Sequence, residues 1–177
     1  HLEDWPHSPK HLFIPDAIYI ITAGTYQKLP FFDPHGHRDA LMRKIFEQTD
    51  RFQWQIQAWA ILPNHYHLIA RAPEDATTLP SMMRAIHSIS AIEINKRDET
   101  PGRKVWFQYW DTCIRDQRGY FARLNYVHRN PEKHGLVGDA VQYKWCSKGW
   151  FVRETELAMR RTILEYPMDR IDVVDDF

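Results

Sequence analysis

The sequence predicts an α+β fold in which helices cover one face of an antiparallel β-sheet. The first observation is the order of its segments, which runs strand, helix, strand, strand, helix, strand, helix. The second is a Pro63-Asn64 turn that joins two strand segments as a hairpin. The third is composition: 44% hydrophobic and 26% charged residues in a chain of 177 are typical of a globular domain with its own core.

The strand segments are recognised by β-branched and aromatic residues, or by strict alternation. The run from Ala17 to Gln27 is rich in such residues and predicts the first strand. From Gln53 to Ala58, glutamines alternate with apolar residues, which predicts a second strand with one wet and one buried face. His65 to Arg71 follows the turn as the third strand, and the aromatic segment Val105 to Asp116 is the fourth.

Apolar residues at helical spacing predict three helices. We expect the first to end near Asp50, the second near Arg97, and the third to begin near Gln117. The apolar stripes are Leu41, Met42, Ile45 and Phe46, then Met82, Ile86, Ile89 and Ile92, and finally Phe121, Leu124 and Val127 or His128. Together with the strands, these helices give a ferredoxin-like layout.

The chain divides into one main domain and an extension. We expect the domain to span residues 1–143, with its core at about 17–137, and the extension to span 144–177. Trp145 and Trp150 are expected to dock the extension on the domain, and Thr155 to Leu164 predicts a further helix. The chain ends in an acidic segment.

Charge and composition exclude several classes of protein. Lys and Arg total 23 and so do Asp and Glu, so the net charge predicts no general affinity for nucleic acid, although a local basic patch remains compatible with it. No apolar run is long enough to span a bilayer, and we expect a cytoplasmic protein. Cys113 and Cys146 form no C-x-x-C pair, so reduced thiols are expected.

Two histidines on the third strand are candidate metal ligands. Residues two apart on a strand point to the same side, so His65 and His67 share one face. Imidazole is the commonest metal ligand in proteins, but two histidines need a third ligand to hold an ion. The alternative interpretation is that the two residues are surface histidines without a metal role. His35 and His37 have the same spacing but lie in a segment rich in Pro and Gly, which predicts a solvated loop without a metal role.

The third predicted helix places three polar residues on one face. Arg123, Tyr126 and Asn130 are separated by three and four residues, which brings them together away from the apolar stripe. Tyrosine beside a guanidinium and an amide is compatible with catalysis, and equally with an amphipathic aromatic at a boundary between helix and sheet.

Three motifs, in order, resemble those of a known family. Leu62-Pro-Asn-His-Tyr-His-Leu68 resembles the motif in which an apolar residue separates two histidines in the single-tyrosine HUH transposases. Tyr126-Val-His-Arg-Asn-Pro-Glu-Lys-His-Gly-Leu-Val137 is similar to the tyrosine segment of their IS200-like, REP-associated group. Tyr109-Trp110 and Ile114-Arg-Asp116 match the family's aromatic strand and its end. The resemblance covers roughly Ala17 to Val137.

The resemblance implies a set of site residues. Tyr126 would be the nucleophile, His65 and His67 would bind a divalent ion such as Mg²⁺ or Mn²⁺, and Asn130 would take the place of a third ligand. Tyr66 stands where relatives carry an aliphatic residue, and strand alternation directs it into the core.

The implied activity is cleavage and rejoining of single-stranded DNA through a 5′-phosphotyrosine intermediate at REP-like or hairpin sequences. Rings that stack on bases and cations that contact phosphates are expected to bind the DNA. The candidates are Arg103, Lys104, Trp106, Tyr109, Arg115, Arg123, Arg129 and Lys133. The acidic end of the chain is not expected to contact DNA.

Two other functions fit part of the sequence. A non-catalytic ferredoxin-like module that binds nucleic acid would explain the fold and the aromatic residues, but would leave the histidine pair, Tyr126 and Asn130 as coincidence. A metal-dependent nuclease that uses water is the second alternative. Both a homodimer and a monomer are compatible with the resemblance.

Overall fold

The computed structural model of the chain describes residues 17–177. Four strands and five α-helices follow one another along the chain. They are β1 (Ile18–Thr25), α1 (His35–Arg51), β2 (Gln55–Ile61), β3 (His65–Arg71), α2 (Leu79–Arg97), β4 (Trp106–Ile114), α3 (Gln117–Lys133), α4 (Lys148–Glu154) and α5 (Leu157–Leu164). No helix in this part of the chain has the length and hydropathy that a membrane span requires.

The four strands form one antiparallel sheet in the order β2-β3-β1-β4. This order, with the β2–β3 hairpin, confirms the predicted ferredoxin-like fold. Thr22 at the centre of β1 pairs with His67 of β3 on one side and with Trp110 of β4 on the other. The predicted histidine pair therefore lies on a central strand, where backbone hydrogen bonds hold it on both sides.

The two faces of the sheet carry different helices. Tyr66 points to the face covered by α1 and α2, where its hydroxyl lies 2.8 Å from His87 Nε2 of α2. His67, one residue later, points to the opposite face, where its ring lies 5.4 Å from that of Tyr126 on α3. The first two helices thus cover one face as expected, whereas α3, which was expected on that face, lies on the opposite one with the histidines.

Two local predictions were wrong. His35 and His37 do not lie in a loop, because α1 begins at His35, directly after Pro34. The stripe of α2 is rotated from the predicted one: Met83 and Ile94 are buried with Met82 and Ile86, whereas Ile92 is 68% exposed. The spacing of apolar residues on this isoleucine-rich helix was compatible with several buried faces. Packing against α1 determines which of these faces is buried.

The residues after α3 pack on the domain. Cys146 forms an antiparallel bridge with Ala60 at the free edge of β2, and Trp150 stacks on Trp59 at 6.1 Å. α4 was not predicted, whereas α5 falls inside the predicted helical segment. The final residues cross the face of the sheet that carries the histidines. Cys113 and Cys146 are both free thiols.

His128 makes the stability of this arrangement sensitive to acid. It is fully buried between α3 and the following segment, where its Nε2 lies 2.9 Å from Ser147 Oγ. Burial, with a smaller effect of the Lys148 charge, lowers the pKa of His128 from 6.5 to about 3. The unfolded chain therefore binds a proton in a pH range where the folded chain does not, so the stabilisation is complete above pH 6.5 and is lost as the pH falls toward 3.

We expect His128→Gln to reduce the acid sensitivity of folding. Between pH 7 and pH 5 the contribution of this histidine falls by about 2 kcal/mol, and the variant should lack that fall. Urea unfolding at the two pH values measures the difference. His35→Gln, which changes an exposed histidine, is the control. Equal pH dependence in wild type and His128→Gln would contradict the expectation.

Candidate active site

The histidine pair on β3 directs two ring nitrogens toward one carboxylate oxygen. His65 and His67 are 1% and 0% exposed, and their rings lie 5.1 Å apart. His65 Nδ1 lies 2.8 Å from Asn64 Oδ1, and His67 Nδ1 lies 2.7 Å from Thr22 Oγ1. These contacts orient both rings so that each Nε2 faces α3 and the end of the chain.

The helix α3 brings Tyr126 and Asn130 over the pair, one turn apart. The helix begins after Asp116, whose carboxylate accepts a hydrogen bond from Gly119 N at 2.7 Å. Pro131 lies inside the helix without ending it, since the helix continues to Lys133. Asn130 is fully buried and Tyr126 is 9% exposed, so the face that the sequence placed away from the core packs against the sheet.

A carboxylate from the end of the chain completes the site. Asp175 Oδ1 lies 3.2 Å from His65 Nε2, 3.3 Å from His67 Nε2 and 2.7 Å from His134 Nε2. Its Oδ2 accepts hydrogen bonds from Lys133 and from Asn130 Nδ2. Asp175 lies outside the three motifs, and His134 lies in the tyrosine segment at a position to which the resemblance gives no role; only the folded chain brings both residues to the site.

The last residue also packs on the site. The Phe177 ring stacks on His65 with the centroids 4.4 Å apart, and it lies 6.2 Å from the Trp110 ring. Gly24 allows this close approach, because a Cβ at that position would clash with the Phe177 ring. The carboxyl-terminal segment 172–177 thus covers the histidine pair.

Burial sets the charge state of the site. It lowers the pKa of His65 from 6.5 to about 4 and also lowers the pKa of His67, so both imidazoles are uncharged at neutral pH. Burial also raises the pKa of Tyr126, and the nearby Asp175 carboxylate raises it further. Burial alone would raise the pKa of Asp175, but contacts with the histidines, Lys133 and Tyr126 hold it far below its ordinary value.

The residues fit a divalent cation. His65, His134 and Asp175 each offer a ligand atom, and these atoms lie within 4.8 Å of one another. His65 Nε2 and Asn130 Oδ1 are buried and have no hydrogen bond. Both atoms carry lone pairs, and buried lone pairs without partners are costly unless a cation or a donor satisfies them.

Comparison with known proteins places this geometry in a family. Residues 16–128 match the sequence profile of the family described as "Transposase IS200 like". The match spans the strand with the histidine pair and the part of α3 that carries Tyr126. The chain belongs to the IS200-like transposase family. Membership confirms the resemblance seen in the motifs and the expectation of an enzyme of the transposase class.

Relatives of this IS200-like transposase include a REP-associated tyrosine transposase of Escherichia coli (strain K12). It is 27% identical over 128 residues, which are 70% of this chain and 67% of the relative. A relative from Haemophilus influenzae is 26% identical over 115 residues, 59% of this chain and 65% of the relative. The chain thus spans about two thirds of the length of the curated relatives it matches.

The fold also matches a solved structure, that of a REP-associated tyrosine transposase bound to a REP hairpin. The TM-score is 0.70 over 96% of this chain and 94% of that chain, at 21% sequence identity. At that identity, the match shows the shared fold.

Three of the basic residues expected to contact DNA lie on α3 of the transposase. Lys133 is the nearest to the site, with Nζ 3.4 Å from the Tyr126 hydroxyl and 5.2 Å from the centre of its ring. Arg129 bonds Asn125 Oδ1 and Leu164 O, which holds it against α5. Arg123 is half-buried and donates to Gly119 O. Of the three, only Lys133 touches the site.

The remaining DNA candidates are scattered. Trp106 is 8% exposed and stacks on His87 at 4.2 Å on the α2 side of the sheet, so its ring offers no open face to a base. Tyr109 lies on the same side, 6.4 Å from His87. Arg103 bonds Asn95 and Asp98, and Lys104 lies over the Tyr26 ring. Arg115 lines a cavity with residues 172–174, beside the site.

An aromatic residue of the sheet on the site's own face is Trp110, which the sequence did not single out as a DNA contact. It pairs with Thr22, whose neighbour on the other side is His67. Counting the paired residues from His67 across β1 to β4 would have identified Trp110, because residues that pair directly on neighbouring strands lie on the same face of the sheet.

Proposed function

We propose that this chain cleaves and rejoins single-stranded DNA through a 5′-phosphotyrosine on Tyr126, at REP-like or hairpin sequences. The observation that carries the proposal is the position of Tyr126, whose ring meets that of His67 at 5.4 Å beside the buried histidine pair. Family membership supports the reaction class, and the hairpin in the similar solved structure supports the kind of DNA.

The chemistry follows from the residues. The Tyr126 oxygen attacks the phosphorus of a DNA phosphodiester and forms a new P–O bond, while the bond from phosphorus to the 3′ oxygen breaks. The tyrosine proton leaves the phenol, and the departing 3′ oxygen takes up a proton to become a free hydroxyl. Reversal, with a 3′ hydroxyl attacking the phosphotyrosine, rejoins DNA without an external energy source.

A divalent ion such as Mg²⁺ or Mn²⁺ would be held by His65, His67 and Asn130. When bound, it neutralises the phosphate charge and orients the group for attack. The uncharged state of both imidazoles keeps their lone pairs available for it.

Lys133 and Asp175 have opposite effects on the nucleophile. The Lys133 ammonium, 3.4 Å from the Tyr126 oxygen, stabilises a phenolate, whereas the Asp175 carboxylate disfavours it. Asp175 also lies in the space between the histidines and α3 that a phosphate must enter. We therefore expect DNA binding to displace the Asp175 carboxylate and to remove one of the two causes, the other being burial, that raise the pKa of Tyr126.

The proposal is tested by trapping the covalent intermediate. The full chain is mixed with Mn²⁺ and a DNA hairpin that has a single-stranded flank, labelled on either side of the cut, and the products are separated under denaturing conditions. The label on the 3′ side should become attached to protein, and the label on the 5′ side should be released. A fully duplex DNA of the same sequence is the control, because the buried Tyr126 cannot reach a phosphate in a continuous double helix.

Each other outcome points to a different function. Attachment of the label from the 5′ side would exclude the proposed polarity. Cleavage without any adduct would favour a nuclease that uses water. Binding without cleavage would favour a non-catalytic module. All assays are run at one stated salt concentration, since phosphate contacts depend steeply on salt.

A further inference from the structure

We propose that His134 and Asp175 bind the same divalent ion as His65, so that in the DNA-free protein the ion ties the end of the chain to the site. The inference deepens the proposed function and rests on it only for the presence of a cation beside the histidine pair. It assigns a metal-binding role to two residues to which the family resemblance gives none.

The protonation of His65 is set by its neighbour. Asn64 Nδ2 donates to Lys28 O at 3.0 Å, which leaves Asn64 Oδ1, an acceptor, facing His65 Nδ1 at 2.8 Å. His65 Nδ1 therefore carries the ring proton. In the uncharged ring, Nε2 has a lone pair and no hydrogen.

That lone pair faces another one. His65 Nε2 lies 3.2 Å from the carboxylate oxygen Oδ1 of Asp175 and has no hydrogen bond. Two acceptors at this distance repel each other unless a cation lies between them. A divalent ion satisfies both atoms.

The distances fit ligands of one ion. Ligand atoms about 2.1 Å from a common metal are roughly 3.0 Å apart in octahedral and 3.4 Å apart in tetrahedral coordination. Asp175 Oδ1 lies 3.2 Å and 2.7 Å from the Nε2 atoms of His65 and His134, and the three ligand atoms lie within 4.8 Å of one another. Imidazole suits zinc and similar transition metals, and carboxylate suits manganese, so this set of ligands is compatible with either.

His134 reaches the site from the end of α3. Its backbone N–H bonds Asn130 O at the close of the helix, and its ring lies 4.8 Å from that of His65. Its side chain is 21% exposed, so solvent can reach this edge of the site. The negative end of α3 adds a favourable field for a cation there.

The experiment measures metal binding without DNA. The full chain is stripped with a chelator and titrated with Co²⁺, and binding is followed by visible absorption and by calorimetry. We expect one ion per chain, and at least about tenfold weaker binding with an altered spectrum in His134→Gln and in Asp175→Asn. His35→Gln and Asp176→Asn, which change an exposed histidine and the exposed neighbour of Asp175, should bind as the wild type does.

A second measurement follows the tether itself. Bound Co²⁺ should slow backbone amide exchange in residues 172–177 of the wild type and of Asp176→Asn, but not of Asp175→Asn. Unfolding curves establish that each variant is folded before it is compared. The Asp175 substitution keeps the size of the side chain and removes only its charge.

The outcomes separate this inference from the proposed function. Wild-type affinity and spectrum in both His134→Gln and Asp175→Asn would overturn the inference, while a DNA adduct in the same preparations would leave the proposed function intact. Absence of Co²⁺ binding in the wild type would also overturn it. Weakened binding in both variants, together with the loss of metal-dependent protection, would support it even if no adduct formed.

Discussion

Tyr126→Phe is expected to abolish the covalent DNA adduct while the protein folds and binds DNA as before. The substitution keeps the ring that packs on His67 and removes only the attacking oxygen. Loss of a nucleophile typically lowers the rate by about 10⁴-fold or more. The hydroxyl also contacts the Asp175 carboxylate, and its hydrogen bond from Lys133 is long, at 3.4 Å, so we expect the free energy of unfolding to change by about 2 kcal/mol or less.

The same helix offers a matched control. Tyr120 lies on α3 and donates to Gln57 Oε1 at 2.7 Å, so Tyr120→Phe also removes a phenol oxygen and one hydrogen bond. It should keep adduct formation. Denaturing gels measure the adduct, and fluorescence anisotropy of a labelled hairpin measures binding. An adduct that persists in Tyr126→Phe would exclude this nucleophile.

His65→Ala and His67→Ala should each abolish metal-dependent cleavage. Each substitution removes a buried imidazole whose Nε2 faces the site and whose other nitrogen is held by Asn64 or Thr22. No neighbouring side chain on the rigid strand can take its place, so we expect a loss of at least about 10²-fold. Cleavage is measured over a range of Mn²⁺ concentrations, so that weakened metal binding and lost chemistry can be distinguished.

The control for these variants is His35→Ala alone. The sequence treated His35 and His37 alike, as solvated residues of a loop, and the structure shows that this was wrong. His37 is 7% exposed, its Nδ1 lies 3.0 Å from Phe31 O, and its Nε2 lies 3.1 Å from Asp98. His37→Ala would therefore disturb the start of α1. Equal loss of cleavage in His35→Ala and His65→Ala would contradict the proposed site.

The fold was predictable because local patterns specify it. Alternation and β-branched residues located the strands, and the Pro63-Asn64 turn located the hairpin. Errors arose where local patterns were ambiguous. The first turn of α1 contains His35, Gly36 and His37, a sequence typical of a loop, and contacts of His37 with Phe31 and Asp98 hold it as helix.

The sequence by itself determined the strand that carries His65 and His67 and the helix that carries Tyr126 and Asn130, because strand and helix periods assign side chains to faces over a few residues. Only the tertiary structure decided that Asp175 and Phe177 lie against the histidines and that His134 joins them. Asp175 is 108 residues from His67 along the chain, and no periodic pattern extends over such a distance. Its position depends on how the segment after α5 crosses the sheet, which is set by packing and charge in the folded protein.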